Sequence, residues 1–283
     1  LSESHQHSTS EDQHPTSEAS SAGTQEGAVN KVGARERAFW DEHVPDLEHC
    51  LRWYEAGPDP NTQAMLDAVE PLRGRRVLDF ACGVGVTAAF LAQRGAIVTG
   101  IDISPASIER GRQLADRAGL SIELIAGELA IDTFPAQSFD AVIGHYALHH
   151  VDLTVVAPII NGILVPGGRG SFTETMGLNP LLSFSRRKLA GRAGVAGYGS
   201  EDERPLDRSD LRVLQMNIGK VDLTAGEMRF LRIFDRNVLR YRRPRVSALL
   251  ATLDDLLLRF GLRFLSYHQV VKVTKPGPAV ARG

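Results

Sequence analysis

Residues 77–104 read VLDFACGVGVTAAFLAQRGAIVTGIDIS. A short apolar run meets two glycines one residue apart, Gly83 and Gly85. A helical stretch follows and stops at Gly95, and a second apolar run ends on Asp102. Strand, glycine turn, helix and strand form the unit from which helix-covered parallel sheets are built. In such sheets ligands sit at the carboxyl ends of the strands, beside the first crossover, and this loop falls there. Glycine lets the backbone approach a ligand closely, and the following helix N-terminus favours an anionic group. Asp102 is placed to accept hydrogen bonds from ribose hydroxyls.

The alternation continues outward. SPASIERGRQLADRAG predicts a helix with Ser104 as N-cap, Pro105 at its first position and Gly119 at its end. SIELIA and FDAVIGHY read as strands, LTVVAPIINGIL as a helix despite Pro158, and GRGSFTET as a fifth strand. Beyond Thr175 the expectations are EMRFLRIF as a strand, SALLATLDDLLLRFG as an amphipathic helix and RFLSYHQVVKVT as a long closing strand. The fold class is therefore α/β: a Rossmann-like, mostly parallel sheet with helices on both faces and a lid inserted after the fifth strand.

Residues 1–30 hold no Lys or Arg and almost no large apolar residue, which predicts a disordered tail. Residues 31–283 form one domain, with a core over 70–175 and 221–275. Helices within 35–70 and an insertion over 176–220 cap an acceptor pocket. Phe39, Trp40, Trp53 and Tyr54 either wall that pocket or pack helices onto the sheet.

A chain of 283 residues, 43% hydrophobic and 23% charged, has ample core for this fold. Its net charge of −2 argues against a nucleic-acid partner. RFLRIFDRNVLRYRRPR, at 229–245, remains either a binder of anionic acceptors or RNA, or a solvated basic face. Two cysteines fit a reducing cytoplasm rather than a disulfide scaffold, and no apolar run is long enough to span a bilayer. The leucine-rich helix covers an apolar substrate, makes a homodimer contact or caps the sheet.

Gly83, Gly85 and Ala88 also satisfy the dinucleotide pattern G-x-G-x-x-A. Asp79 argues against that reading, because a carboxylate at the strand end opposes a pyrophosphate and suits a cationic amine. VLDFACGVG, GIDIS, AGEL, FDAVIGHYALHHV and ILVPGGRGSFTE, taken in order, resemble the motif series of class I S-adenosylmethionine-dependent methyltransferases of the small-molecule branch. The resemblance covers roughly residues 70–175. It implies S-adenosylmethionine as cofactor, its amino-acid part held by Asp79, Gly83 and Gly85, with Ala81 replacing the usual first glycine. It further implies Asp102 at the ribose, Ile103, Glu128 and Leu129 around the adenine, and His145 beside the methionine portion. Glu128 departs from the more usual Asp.

Methyl transfer needs alignment and, for a hydroxyl acceptor, a proton acceptor. The candidates are His149 and His150 in ALHHV, with Glu174 at the end of the fifth strand to orient an imidazole. Packing beside the cofactor is the competing role for both histidines. His145 and His149 lie four apart, but no further ligands follow, so no metal site is expected. Tyr146 lines the pocket or packs, and Cys82 fills space. The expected function is methylation of a small, largely apolar metabolite at oxygen, in natural-product biosynthesis. N-, S- or C-methylation and a non-methylating reaction such as a cyclisation are the alternatives.

Overall fold

The computed structural model describes residues 33–181, 183–184, 204–228, 230–235 and 239–278. The expected tail, residues 1–30, and residues 185–203 of the expected insertion lie outside these residues. Seven strands form one sheet: β1 (Arg76–Phe80), β2 (Ile97–Asp102), β3 (Glu123–Ala126), β4 (Phe139–His145), β5 (Leu164–Thr175), β6 (Lys220–Thr224) and β7 (His268–Thr274). Their order is β3-β2-β1-β4-β5-β7-β6. The first five pair in parallel, while β7 runs antiparallel between β5 and β6.

Burial on both faces explains the unbroken apolar runs of the central strands. Leu78 and Phe80 pack on one side with Val142, Phe172 and Val271, under the helices Leu153–Ile163 and Arg208–Asn217. Val77, Ile143 and Val270 face the other side, under Met65, Leu66, Phe90 and Leu91. Helix Pro60–Asp67 thus belongs to the packed layer on that face, against β4, β5 and β7.

Local chemistry fixes the element ends. Ser104 caps the helix Pro105–Ala118 by accepting from the Ser107 N–H at 3.0 Å, and Gly119 ends it in the left-handed region at φ 65°. Helix Leu153–Ile163 runs through Pro158 because the ring lies on its exposed side while six of its residues are buried.

Two expectations after Thr175 are corrected. EMRFLRIF is not a strand: it holds a helical turn, Leu231–Phe234, started by the Asp254 carboxylate. That carboxylate accepts from Leu231 N–H at 2.8 Å and Arg232 N–H at 3.0 Å. The sheet edge is Lys220–Thr224 instead. The closing strand is also shorter than expected. Arg263–Leu265 is a 3-10 turn, and buried Ser266, donating to the His268 carbonyl at 2.8 Å, precedes the start of β7 at His268.

Candidate active site

The carboxyl ends of β1, β2 and β4 gather the residues singled out by the sequence. Asp79 is buried in β1, and neither of its carboxylate oxygens has a hydrogen-bond partner. Burial first, and the nearby Asp102 carboxylate second, push its pKa up to about 8; the Ala88 amide opposes them. Such an orphaned carboxyl is costly unless a ligand completes it.

The loop after it is strained open. Ala81 has φ 54°, a left-handed conformation for a residue with a side chain, where the resemblance expects glycine. Gly83 follows at φ 52°, and a Cβ built there would meet nothing within 4 Å, so the backbone faces open space. Gly85, at φ 72°, leads into the helix Val86–Gln93. Asp102 anchors this loop: one oxygen accepts from Gly83 N–H at 2.8 Å, the other from Ser104 N–H at 2.9 Å. Burial raises its pKa, while those two amides pull it back. Each oxygen keeps a further lone pair for a hydroxyl donor. Cys82 packs against Gly100, and burial with the two aspartates raises its thiol well above the ordinary value, which suits a space-filler.

On the far side of β2, Ile103 is half-buried, Glu128 is exposed, and Leu129 packs against the core. Gly33, at the start of the helix over 33–42, closes on them: a Cβ there would stand 2.7 Å from Glu128 Oε1 and 3.7 Å from Ile103 Cδ1. The same helix places Asp41 to accept from Ser104 Oγ at 2.6 Å and Ala106 N–H at 3.2 Å. It also places Glu36 within 3.3 Å of His150 Nδ1, and the Trp40 indole donates to Glu36 at 3.0 Å. Gly33, Glu36 and Asp41 were missed by the sequence reading; an acid five residues after another on a short helix carries no motif.

At the end of β4 the side chains form an aromatic and imidazole cluster. His145 Nε2 lies 3.4 Å from Thr62 Oγ1, and its ring is 4.4 Å from Tyr146. Tyr146 sits at φ 58°, a second left-handed residue at a strand end, and its hydroxyl is 2.9 Å from His268 Nδ1. Glu174, fully buried in β5, accepts from Ala147 N–H at 2.9 Å and Leu148 N–H at 2.7 Å through one oxygen. Its other oxygen is 2.6 Å from His149 Nδ1. The acid therefore fixes both the 3-10 turn Leu148–His150 and the imidazole on it. His150 does not share Glu174; it pairs with Glu36 instead. Of the four aromatics considered as a wall, Trp40 stands 5.8 Å from His150 with Phe39 beside it. Tyr54 stacks on Phe90 in the packed layer, and Trp53 lies exposed against His49. Among the described residues no cluster of three His, Cys, Asp or Glu side chains is suited to a metal ion.

An orphaned carboxyl in the first strand, a glycine loop after it and an acid at the end of the second strand are thus gathered at one edge of the sheet. Comparison with known proteins shows what the chain is similar to. Residues 77–168 match the family described as methyltransferase domain. A ubiquinone biosynthesis O-methyltransferase of Methylocella silvestris is 39% identical over 141 residues, 48% of this chain and 54% of that protein. Aklanonic acid methyltransferase DauC of Streptomyces sp. is 37% identical over 120 residues, 41% of this chain and 54% of its own. The chain spans about half the length of the curated relatives it matches. Among solved structures, the [4+2]-cyclase SpnF superposes with a TM-score of 0.52 at 19% identity, over 77% of this chain and 80% of that one. This likeness establishes the fold. Over residues 77–168 the chain is thus similar to methyltransferase domains, the class that its motif series resembles.

Proposed function

We propose that this protein transfers a methyl group from S-adenosylmethionine to an oxygen of a small, largely apolar metabolite, as a tailoring step in natural-product biosynthesis. The observation that carries the reading is the buried Glu174–His149 pair, set at the same sheet edge as the unpartnered Asp79 carboxyl. Relatives named for ubiquinone biosynthesis and aklanonic acid support the acceptor class.

The residues fit the cofactor. Asp79 would receive its ammonium group, the Gly83 backbone leaves room beside it, Asp102 would take ribose hydroxyls, and Ile103, Glu128 and Leu129 would bound the adenine. When bound, the cofactor supplies a methyl group already activated by a sulfonium.

The remaining chemistry belongs to the acceptor. Glu174 accepts two backbone N–H groups on one oxygen, so its second oxygen acts as acceptor for Nδ1–H of His149. That bond fixes the tautomer and leaves the Nε2 lone pair to take a proton from a hydroxyl. A phenol, near pKa 10 by the tyrosine reference, needs only such modest help. His145, held at Thr62, lies at the end of β4 where the methionine portion is expected. Trp40 and Phe39 supply apolar surface above His150.

The test is incubation with S-adenosylmethionine and a panel of apolar phenols and quinols, read by mass spectrometry. The expected result is a gain of one methyl on oxygen, with equimolar demethylated cofactor. Product formed without demethylated cofactor would move the assignment to a non-methylating reaction. Methylated nitrogen, sulfur or carbon would remove the proposed need for His149 as base.

A further inference from the structure

We infer that the helix Pro244–Arg259 and its two flanks form a binding surface for an anionic lipid membrane, on which the protein lies without crossing it. The inference stands on this surface alone and does not depend on which acceptor is methylated. The helix buries only one residue fully, Asp254. Leu249, Leu253, Leu256 and Phe260 are 57%, 39%, 42% and 79% exposed. Their spacing of four, three and four residues puts them within an arc of roughly 60° on a helix turning about 100° per residue. A continuous apolar stripe of this kind is costly in water and marks an interaction face.

Charge identifies what covers it. Arg245 and Arg259 follow the stripe along one side, and Asp255 lies beyond them, away from it. Arg240, Arg242 and Arg243 are exposed at the N-terminal approach. These five arginines make no salt bridge among the described residues. Tyr241, 56% exposed, and Phe264, 48% exposed, stand at the two ends. Leucines flanked by unpaired guanidinium groups and end aromatics are the chemistry of a helix lying in a bilayer interface: apolar side chains enter the acyl boundary and arginines meet lipid phosphates. A second copy fits less well, because a two-fold contact through the stripe brings both sets of arginines together with little acid to meet them. RNA would answer the arginines but leave the leucines in water. No described helix is long and apolar enough to cross a membrane, which agrees with surface attachment.

The test is co-sedimentation of the full chain with vesicles of phosphatidylcholine alone or with phosphatidylglycerol added. Binding is expected only to the anionic vesicles and is expected to fall steeply with salt. Arg242→Gln, Arg243→Gln and Arg245→Gln together should weaken partition by about a hundredfold, at roughly fivefold per charge near an anionic surface. Leu249→Glu with Leu253→Glu should abolish it, and both variants should keep the wild-type circular dichroism and melting temperature. Equal partition to both vesicle types, no partition to either, or retention by the leucine variant would overturn the proposal. So would an apparent mass by light scattering that halves in the leucine variant, or preferential binding to an RNA homopolymer.

Discussion

Replacing Asp79 by asparagine separates what the carboxyl costs the fold from what it contributes to binding. In the folded, ligand-free protein its pKa is about 8, against 3.8 for an unperturbed aspartate. The native state therefore keeps a proton that the unfolded chain releases. The associated stability is fully present below about pH 3.8 and is lost as pH rises toward 8, at about 1.36 kcal/mol per pH unit. At pH 7 the accumulated loss is about 4 kcal/mol. The amide of the Asp79→Asn variant is neutral throughout, so that variant lacks this slope. A buried amide without partners costs roughly 1–3 kcal/mol, about as much as the protonated, unpartnered carboxyl it replaces, so the variant should be more stable than wild type at pH 7 by roughly the 4 kcal/mol that the wild type has lost. Cofactor binding should change in the opposite sense. An ammonium group meeting Asp79 requires the ionised form, which is about a tenth of the free protein at pH 7 and a hundredth at pH 6. Wild-type affinity for S-adenosylmethionine should rise about tenfold between pH 6 and pH 7 and release close to one proton on binding. In Asp79→Asn the affinity should be weaker and nearly independent of pH. Urea melts from pH 5 to 8 give the first slope, and calorimetry in buffers of differing ionisation enthalpy gives the second. Identical slopes in wild type and variant, or unchanged cofactor affinity in the variant, would overturn the role given to this carboxyl.

Glu174→Gln and His149→Ala should each lower turnover by about 10²–10⁴-fold while calorimetric affinity for the cofactor stays near wild type, as expected for loss of a general base and its anchor. Asp102→Ala should weaken cofactor binding by roughly 1–3 kcal/mol, since Gly83 N–H also loses its acceptor and the loop loosens. Gly226→Ala should lower the melting temperature sharply, because the new Cβ would collide with the Pro60 carbonyl oxygen, a backbone atom that cannot swing aside. That loss, read by differential scanning calorimetry, should be at least about 1–3 kcal/mol.

The central layout was legible because its determinants are local. Ser104, Pro105 and Gly119 each act within one helical turn, and the helix bounds follow them. Gly83, Gly85, Asp79 and Asp102 fall where strand–loop–helix logic puts them. The pairing of His149 with Glu174 was within reach because both strands end at one edge. Contacts between distant segments were not legible. Asp41 caps a helix 63 residues away at Ser104, and Tyr146 meets His268 across 122 residues. EMRFLRIF was misread because its apolar content suits either period; Asp254, on the following helix, decides it by holding two backbone amides. The edge strand KVDLT is half-exposed and polar, so it lacks the apolar run that reveals buried strands.

The strand order carries a consequence for biosynthesis. β7, the last of the seven strands to leave the ribosome, is inserted between two strands made earlier, and it pairs with both. Until it emerges, β5 presents an open, hydrophobic edge to the crowded cell, the kind of surface that chaperones cover and that mispairs when they do not. Glu174 lies on that edge, opposite Gln269 of β7. Glu174 and the His149 turn that it holds thus stand beside an edge that stays open until this strand docks.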